Sequence, residues 1–161
     1  MLGATALTKD FGTHRALDSL DLRVDPGEIL CLLGANGAGK TTTINLFLGF
    51  LSPTSGSARV DGIDVQADPV GTKRRLLYVP EQISLFGDLT GLENLDYFAA
   101  LADIEDRSPA RLRECLTAAG LPPAAFDRRA AGYSKGMRQK VGLAPATAQE
   151  GRGLLLHQAC T

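Results

Sequence analysis

Gly34-Ala35-Asn36-Gly37-Ala38-Gly39-Lys40-Thr41 is the stretch whose residue types and spacing speak most directly of chemistry. It fits G-x-x-x-x-G-K-[ST] at every fixed position. The glycines let the backbone turn tightly, so that successive N–H groups converge on one anion. A helix opening at Thr41 adds the positive end of its dipole. The Lys40 ammonium can reach the β- and γ-phosphates as a mobile point charge, and the Thr41 hydroxyl can sit on Mg²⁺. A plain glycine-rich turn between a strand and a helix would need neither Lys40 nor the threonines after it. The stretch therefore specifies a nucleoside triphosphate, and says little about what its binding drives.

Such a loop needs a strand leading in and a helix leading out. Ile29 to Leu33 is a continuous apolar run, which predicts a strand buried on both faces. Before it, Asp18 to Val24 alternates Leu20, Leu22 and Val24 with Ser19, Asp21 and Arg23, the period of a half-buried strand. Asp25-Pro26-Gly27-Glu28 predicts the turn between them. Thr41 to Gly49 carries Ile44, Phe47, Leu48 and then Leu51 at helical spacing, with Gly49 placed to end the helix. Ala58 to Val65, broken by Asp61-Gly62, predicts a hairpin, and Leu76 to Val79 a short buried strand stopped by Pro80. Thr90-Gly91-Leu92-Glu93 fits a capping box, with Leu92, Leu95, Phe98 and Ala102 on one face beyond it. Ser108-Pro109 opens a further helix with Leu112, Cys115, Leu116 and Ala119 inward. A last helix starts near Ser134, with Met137, Val141 and Ala144 as its stripe. Residues 1–80 thus mix strands with one helix, and residues 90–150 are mostly helical.

Composition narrows the class. The 161 residues are 44% hydrophobic and 22% charged, which fits about one packed domain and argues against disorder. Lys+Arg number 17 and Asp+Glu 18, so bulk positive charge for nucleic acid is excluded. Aromatics are 6%, so the core is aliphatic. Cys31, Cys115 and Cys160 are odd in number and far apart, which fits a reducing compartment better than a disulfide framework. Residues 1–14 carry no signal-peptide pattern. Ile29 to Leu33 is the longest clearly apolar stretch, far short of the roughly 20 residues that cross a bilayer. A membrane role therefore calls for a partner that supplies the membrane part.

Three further segments bear on the loop. Phe11 lies upstream, where a ring could stack on a purine; on its own it reads first as a core residue. Tyr78-Val79-Pro80-Glu81-Gln82 is a strand end with a polar pair. Ser134-Lys135-Gly136-Met137-Arg138 reads alone as a serine-capped basic helix start. Together and in this order, the segments resemble the nucleotide-binding domain of ABC transporters, from about residue 3 to residue 143. Phe11 matches the adenine-stacking aromatic, and Gly34 to Thr42 the Walker A loop. Tyr78 to Gln82 matches the Q-loop, with Glu81 at the usual glutamine position and Gln82 one place on. Ser134 to Arg138 matches the signature, in a form seen among export-type members.

The resemblance implies an α/β fold: an ABC-type P-loop NTPase core with an N-terminal antiparallel β subdomain and an α-helical subdomain. It implies ATP and Mg²⁺ as ligands. Phe11, Gly34, Asn36, Gly37, Ala38, Gly39, Lys40, Thr41 and Thr42 would hold the nucleotide. Thr41 and Gln82 would attend the metal, and Lys40, Glu81 and Gln82 would serve catalysis. Ser134, Lys135, Gly136 and Met137 would contact ATP held by a second such domain, in a homodimer or heterodimer. A transmembrane permease subunit would be the other partner, with no nucleic acid involved. The location would be cytoplasmic, peripheral on the inner membrane face.

The pattern breaks near the C-terminus. Leu154-Leu155-Leu156 begins a Walker B-like strand, but His157 and Gln158 stand where that family has its metal-binding Asp and catalytic Glu. Pro145 falls inside the helix after the signature, at a cost of about 3 kcal/mol. The sequence thus reads as one incomplete domain: residues 1–81 as β subdomain and loop core, 82–144 as helical subdomain and 145–161 as a divergent tail. The C-terminal part of the core is expected to be missing, by truncation or degeneration, and Ile29 to Leu33 to keep an open flank. Two other readings remain. One is an ATP-binding regulatory module without hydrolysis, which His157 and Gln158 favour. The other is a nucleic-acid- or ribosome-associated ABC ATPase, for which Lys73-Arg74-Arg75 and Arg128-Arg129 are only short clusters. A small-molecule kinase would explain the loop but not Ser134 to Arg138.

Overall fold

The alternation that ends at Val24 builds a strand, β2 (His14–Val24), in which Leu20, Leu22 and Val24 are half-buried and Asp21 and Arg23 exposed. The computed structural model describes residues 1–35, 37–148 and 153–156, which fall into two compact units, Met1–Tyr78 and Val79–Leu156.

In the first unit β2 pairs antiparallel with β1 (Leu2–Phe11), which pairs with β3 (Ser55–Val60); β4 (Ile63–Asp64) closes a four-stranded sheet of order β2-β1-β3-β4. The hairpin at Asp61-Gly62 is present, with both residues at positive φ (50° and 79°), as a tight antiparallel turn demands. The turn Asp25 to Glu28 is present too, with Gly27 at φ 80° and the Glu28 N–H donating to the Asp25 carbonyl at 3.1 Å.

Sequence reasoning did not find β1. Its alternation is broken by a bulge at Ala6 (φ 45°), which moves the inward set from Ala4 to Leu7 and Thr8. The Asp21 carboxylate accepts the Ala6 N–H displaced by that bulge, at 2.8 Å.

α1 (Lys40–Phe47) packs against β2 and β3 and buries Ile44, Leu46 and Phe47. Gly49 ends it at φ 65°. The short α2 (Pro69–Lys73), also unforeseen, is capped by the Asp68 carboxylate on the Gly71 N–H. β5 (Leu76–Val79) stops at Pro80, as its proline requires.

Ile29 to Leu33 corrects an expectation. It is neither a strand nor buried: the segment is irregular, with Ile29 95% and Leu33 73% exposed. An all-apolar strand is stable only when neighbours pair its backbone and cover both faces. Among the described residues, none pairs with it.

In the second unit, α3 (Gly91–Leu101), α4 (Pro109–Ala118) and α5 (Lys135–Ala148) enclose an aliphatic core that includes Leu95, Ala99, Leu112, Leu116, Val141 and Ala144. Short 3-10 turns at Pro123–Ala125 and Ala130–Gly132 link α4 to α5. The capping box is complete: the Thr90 Oγ1 accepts the Glu93 N–H at 3.2 Å, and the Glu93 carboxylate accepts the Thr90 N–H at 2.8 Å. Ser108 caps α4 in the same way, on the Arg111 N–H. α5 runs through Pro145 to Ala148; the proline is buried, which offsets part of the cost of its missing donor. β6 (Gly153–Leu156) forms where the leucine run predicts a strand. No helix among the described residues is long and apolar enough to cross a membrane.

The fold yields two tests. Ile29→Lys with Leu33→Lys should raise the monomeric fraction in gel filtration while changing unfolding free energy by no more than about 0.5 kcal/mol. A native chain that already elutes as a monomer with a sharp melt would contradict an adhesive strip. The Thr90 backbone N–H holds the Glu93 pKa below the ordinary carboxylate value. A folded-state pKa lowered in this way favours the folded form at neutral pH, and that gain is lost as pH falls through the lowered value. Amide protection in the first turn of α3, taken relative to the intrinsic exchange rate at each pH, should therefore fall in acid, and Glu93→Gln should flatten that dependence.

Candidate functional site

The junction between loop and α1 turns on Gly39. It occupies the N-cap position at φ 84°, where an L side chain is strained. A Cβ there would also lie 2.5 Å from the Ala16 carbonyl oxygen of β2. Its own carbonyl takes two bonds from Thr43, from the N–H at 2.8 Å and the Oγ1 at 2.9 Å, which anchors the turn into the core.

With glycine at the cap, α1 starts without a side-chain acceptor. The other four α-helices among the described residues close their first turns with Asp68, Thr90, Ser108 and Ser134 oxygens. The leading end of α1 is thus set against the loop alone, the arrangement in which a helix N-terminus can serve an anion.

The loop curls back on the lysine. The Lys40 Nζ donates to the carbonyls of Gly34 at 2.6 Å and Ala35 at 2.8 Å. The Ala38 N–H donates to the Ala35 carbonyl at 3.1 Å, and Gly37 takes φ 89°. The ammonium is therefore held over the loop by neutral carbonyls, and among the described residues no carboxylate is ion-paired to it. Thr41 is exposed and Thr42 half-buried at the head of α1. Asn36 lies outside the described residues.

Phe11 is not a core residue. It ends β1 opposite His14 at the Gly12 turn, past the covered part of the sheet, and is 46% exposed. The Lys9 ammonium lies 5.2 Å from its ring centroid. The ring is thus available for stacking, and it belongs to the same unit as the loop.

The remaining predicted site residues lie in the second unit. Glu81 is half-buried and Gln82 exposed, directly after β5 and Pro80. Ser134, Lys135 and Gly136 are exposed at the head of α5, while Met137 packs against the helical core. The Ser134 Oγ accepts the Met137 N–H at 3.3 Å, and the Arg138 guanidinium donates to the Tyr133 carbonyl at 2.7 Å. His157 and Gln158 lie outside the described residues.

Sequence reasoning missed two residues that seat this second group. Tyr133, next to Ser134, is buried, and its hydroxyl donates to the Ala125 carbonyl. Burial pushes its phenol pKa up, which keeps the donor proton in place. Asn94 is fully buried one position before Leu95. The buried face of α3 runs through Gly91, Asn94, Leu95 and Ala99, so it is rotated from the Leu92-Leu95-Phe98-Ala102 stripe. An asparagine one place from an apolar stripe was the available signal.

Comparison with known proteins follows the same lines. Residues 17–160 match the family model described as ABC transporter. The chain is 36% identical over 160 residues to an uncharacterized ABC transporter ATP-binding protein, YxlF of Bacillus subtilis, covering 98% of this chain and 52% of that protein. It is 38% identical over 141 residues to the daunorubicin/doxorubicin resistance ATP-binding protein DrrA of Streptomyces peucetius, covering 87% of this chain and 42% of that one. The chain thus spans about half the length of the curated relatives it matches. A dimeric bacterial ABC transporter cassette of known structure superposes with a TM-score of 0.80 at 26% identity, over 97% of this chain and 73% of the cassette. With a family match over most of its length, relatives at this identity and a shared fold, the chain belongs to the ABC transporter family, as part of an ATP-binding cassette.

Proposed function

We propose that the chain binds ATP on the 34–42 loop and serves as the ATP-binding part of an ABC transporter that works through a separate membrane subunit. The observation that carries this reading is the glycine-capped start of α1 beside a lysine whose ammonium, among the described residues, is held by the loop carbonyls of Gly34 and Ala35. A triphosphate would supply both the missing N-terminal acceptor and the counter-charge. Phe11 would stack on the adenine. The backbone of Gly34, Asn36, Gly37, Ala38 and Gly39 would surround the phosphates with Lys40, Thr41 and Thr42.

Hydroxyl and phosphate oxygens are the hard donors that Mg²⁺ prefers, and Thr41 heads the helix beside Lys40. Bound there, Mg²⁺ would neutralise phosphate charge. By the family's pattern Gln82 would also attend the metal, with Glu81 beside it relaying nucleotide state to the membrane subunit.

Two such chains, alike or different, would sandwich ATP. The exposed Ser134, Lys135 and Gly136, with Met137 fixing their turn to the core, would meet the nucleotide held by the partner. ATP would then join the pair and hydrolysis release it, on the inner face of the membrane.

Export rather than uptake is supported by the Ser-Lys-Gly-Met-Arg signature and by the likeness to a drug-resistance protein. Hydrolysis by this chain is impaired in our reading, because an imidazole at 157 brings no negative charge to balance Mg²⁺ and an amide at 158 cannot take a proton from water. The same two residues favour the second reading, an ATP-binding regulatory module.

Three outcomes test the proposal. Lys40→Ala should abolish ATP binding in a calorimetric titration at millimolar Mg-ATP; unchanged affinity would remove the loop from the site. Gly39→Ala should weaken ATP binding at least about tenfold, since it forces both the left-handed backbone and the Ala16 contact. Phosphate release by the native chain should stay near background with ATP bound, and brisk turnover would refute the impairment.

A further inference from the structure

Asn94 is a neutral amide with 0% exposure, and every polar atom of its side chain is engaged. Its Oδ1 accepts the Phe86 N–H at 2.8 Å. Its Nδ2 donates to the carbonyls of Thr90 at 2.8 Å and Phe86 at 3.0 Å, with a longer approach to Leu89 at 3.4 Å. One side chain thus closes the turn 86–90 from inside, by contacts that the capping box on the opposite side does not make.

The turn held in this way is half of a short antiparallel ladder. The Ala131 N–H donates to the Gly87 carbonyl at 3.0 Å, and the Ala130 N–H to the Leu89 carbonyl at 2.8 Å. Thr90 bridges Arg129, and the N–H groups of Gly91 and Leu92 donate to the carbonyls of Arg128 and Phe126. The far segment, whose residues Ala130–Gly132 form the 3-10 turn, runs straight into Tyr133 and Ser134. Tyr133 closes it: its N–H donates to the Ala130 carbonyl at 3.0 Å and its hydroxyl to Ala125. Gly91 has no side chain because a Cβ there would overlap the Tyr133 hydroxyl.

We infer that Asn94 is a positioning residue for the signature turn. Its amide pins both ends of the 86–90 turn through Phe86 and Thr90, and the Gly87 and Leu89 carbonyls between them receive the N–H groups of Ala131 and Ala130, which lead into Tyr133 and place Ser134 at the head of α5. The same turn continues the chain that leaves Glu81 and Gln82, and Leu85 just before it packs against the apolar core. The functional weight of this inference rests on the proposed role of Ser134 toward a partner's nucleotide; the positioning itself does not.

Site-resolved amide exchange on the full chain tests it, comparing Asn94→Ala with Leu116→Ala, a core truncation on α4 of the same unit. Asn94→Ala should speed exchange at Ala130, Ala131 and Tyr133 about tenfold beyond any change in α4, because a buried set of partners is left unpaired. Leu116→Ala should speed α4 and the ladder together. Asn94→Ser, which retains a hydroxyl too short to span the turn, carries the same comparison if the alanine variant does not fold. Unaltered exchange at 130–133, or uniform acceleration matching Leu116→Ala, overturns the inference. Fluorescent ATP-analogue binding separates the two claims: its absence in the native chain sinks the functional reading, whereas its retention in Asn94→Ala beside unaltered exchange sinks the positioning role alone.

Discussion

The first unit depends on one backbone constraint: the chain must turn from loop into helix at Gly39 in a left-handed conformation, against the carbonyl of Ala16. Glycine alone meets both demands without strain. It follows that α1 has no capping side chain, that its positive end opens on the loop, and that Lys40 leans over the loop carbonyls. The buried Thr43 locks the turn by bonding the same glycine's carbonyl twice. Charge, helix direction and a rigid hinge are thus brought together within a few residues by packing against β2.

The second unit solves a different problem. Its exposed groups at Ser134 to Gly136 sit on the end of a helix, and helix ends fray unless tied down. Here the tie is polar and buried. Asn94 and Tyr133 direct their side-chain hydrogen bonds to backbone groups, Asn94 to the N–H and carbonyls of the 86–90 turn and Tyr133 to the Ala125 carbonyl, while the aliphatic core supplies the bulk of the burial. Such pins contribute little net energy, yet they exclude alternative loop arrangements because an unpaired amide inside a core is costly.

Ile29 to Leu33 shows the limit of apolar patterning. The run has the composition of a central strand, yet a strand is a relation between chains of backbone and not a property of one segment. With no paired neighbour among the described residues, the run lies irregular and exposed while the sheet of β1 to β4 forms beside it. The entry to the loop is irregular for this reason.

Elements whose signals are local were legible from the residues themselves. The capping box at Thr90, the Ser108-Pro109 start, the Asp61-Gly62 turn and the stop at Pro80 each depend on neighbours a few positions away. The glycines and lysine of the 34–41 stretch, and their order relative to Phe11, Gln82 and Ser134, were likewise written in the chain, and the family follows from them. What tertiary structure decided was burial and partnership. It put Phe11 on the surface, left Ile29 to Leu33 uncovered, hid β1's parity behind the bulge at Ala6, and turned α3 so that Asn94 faces inward. The physical reason is common to all four: whether a residue is covered depends on segments distant in sequence, and periodicity along one segment carries no information about which of them arrive.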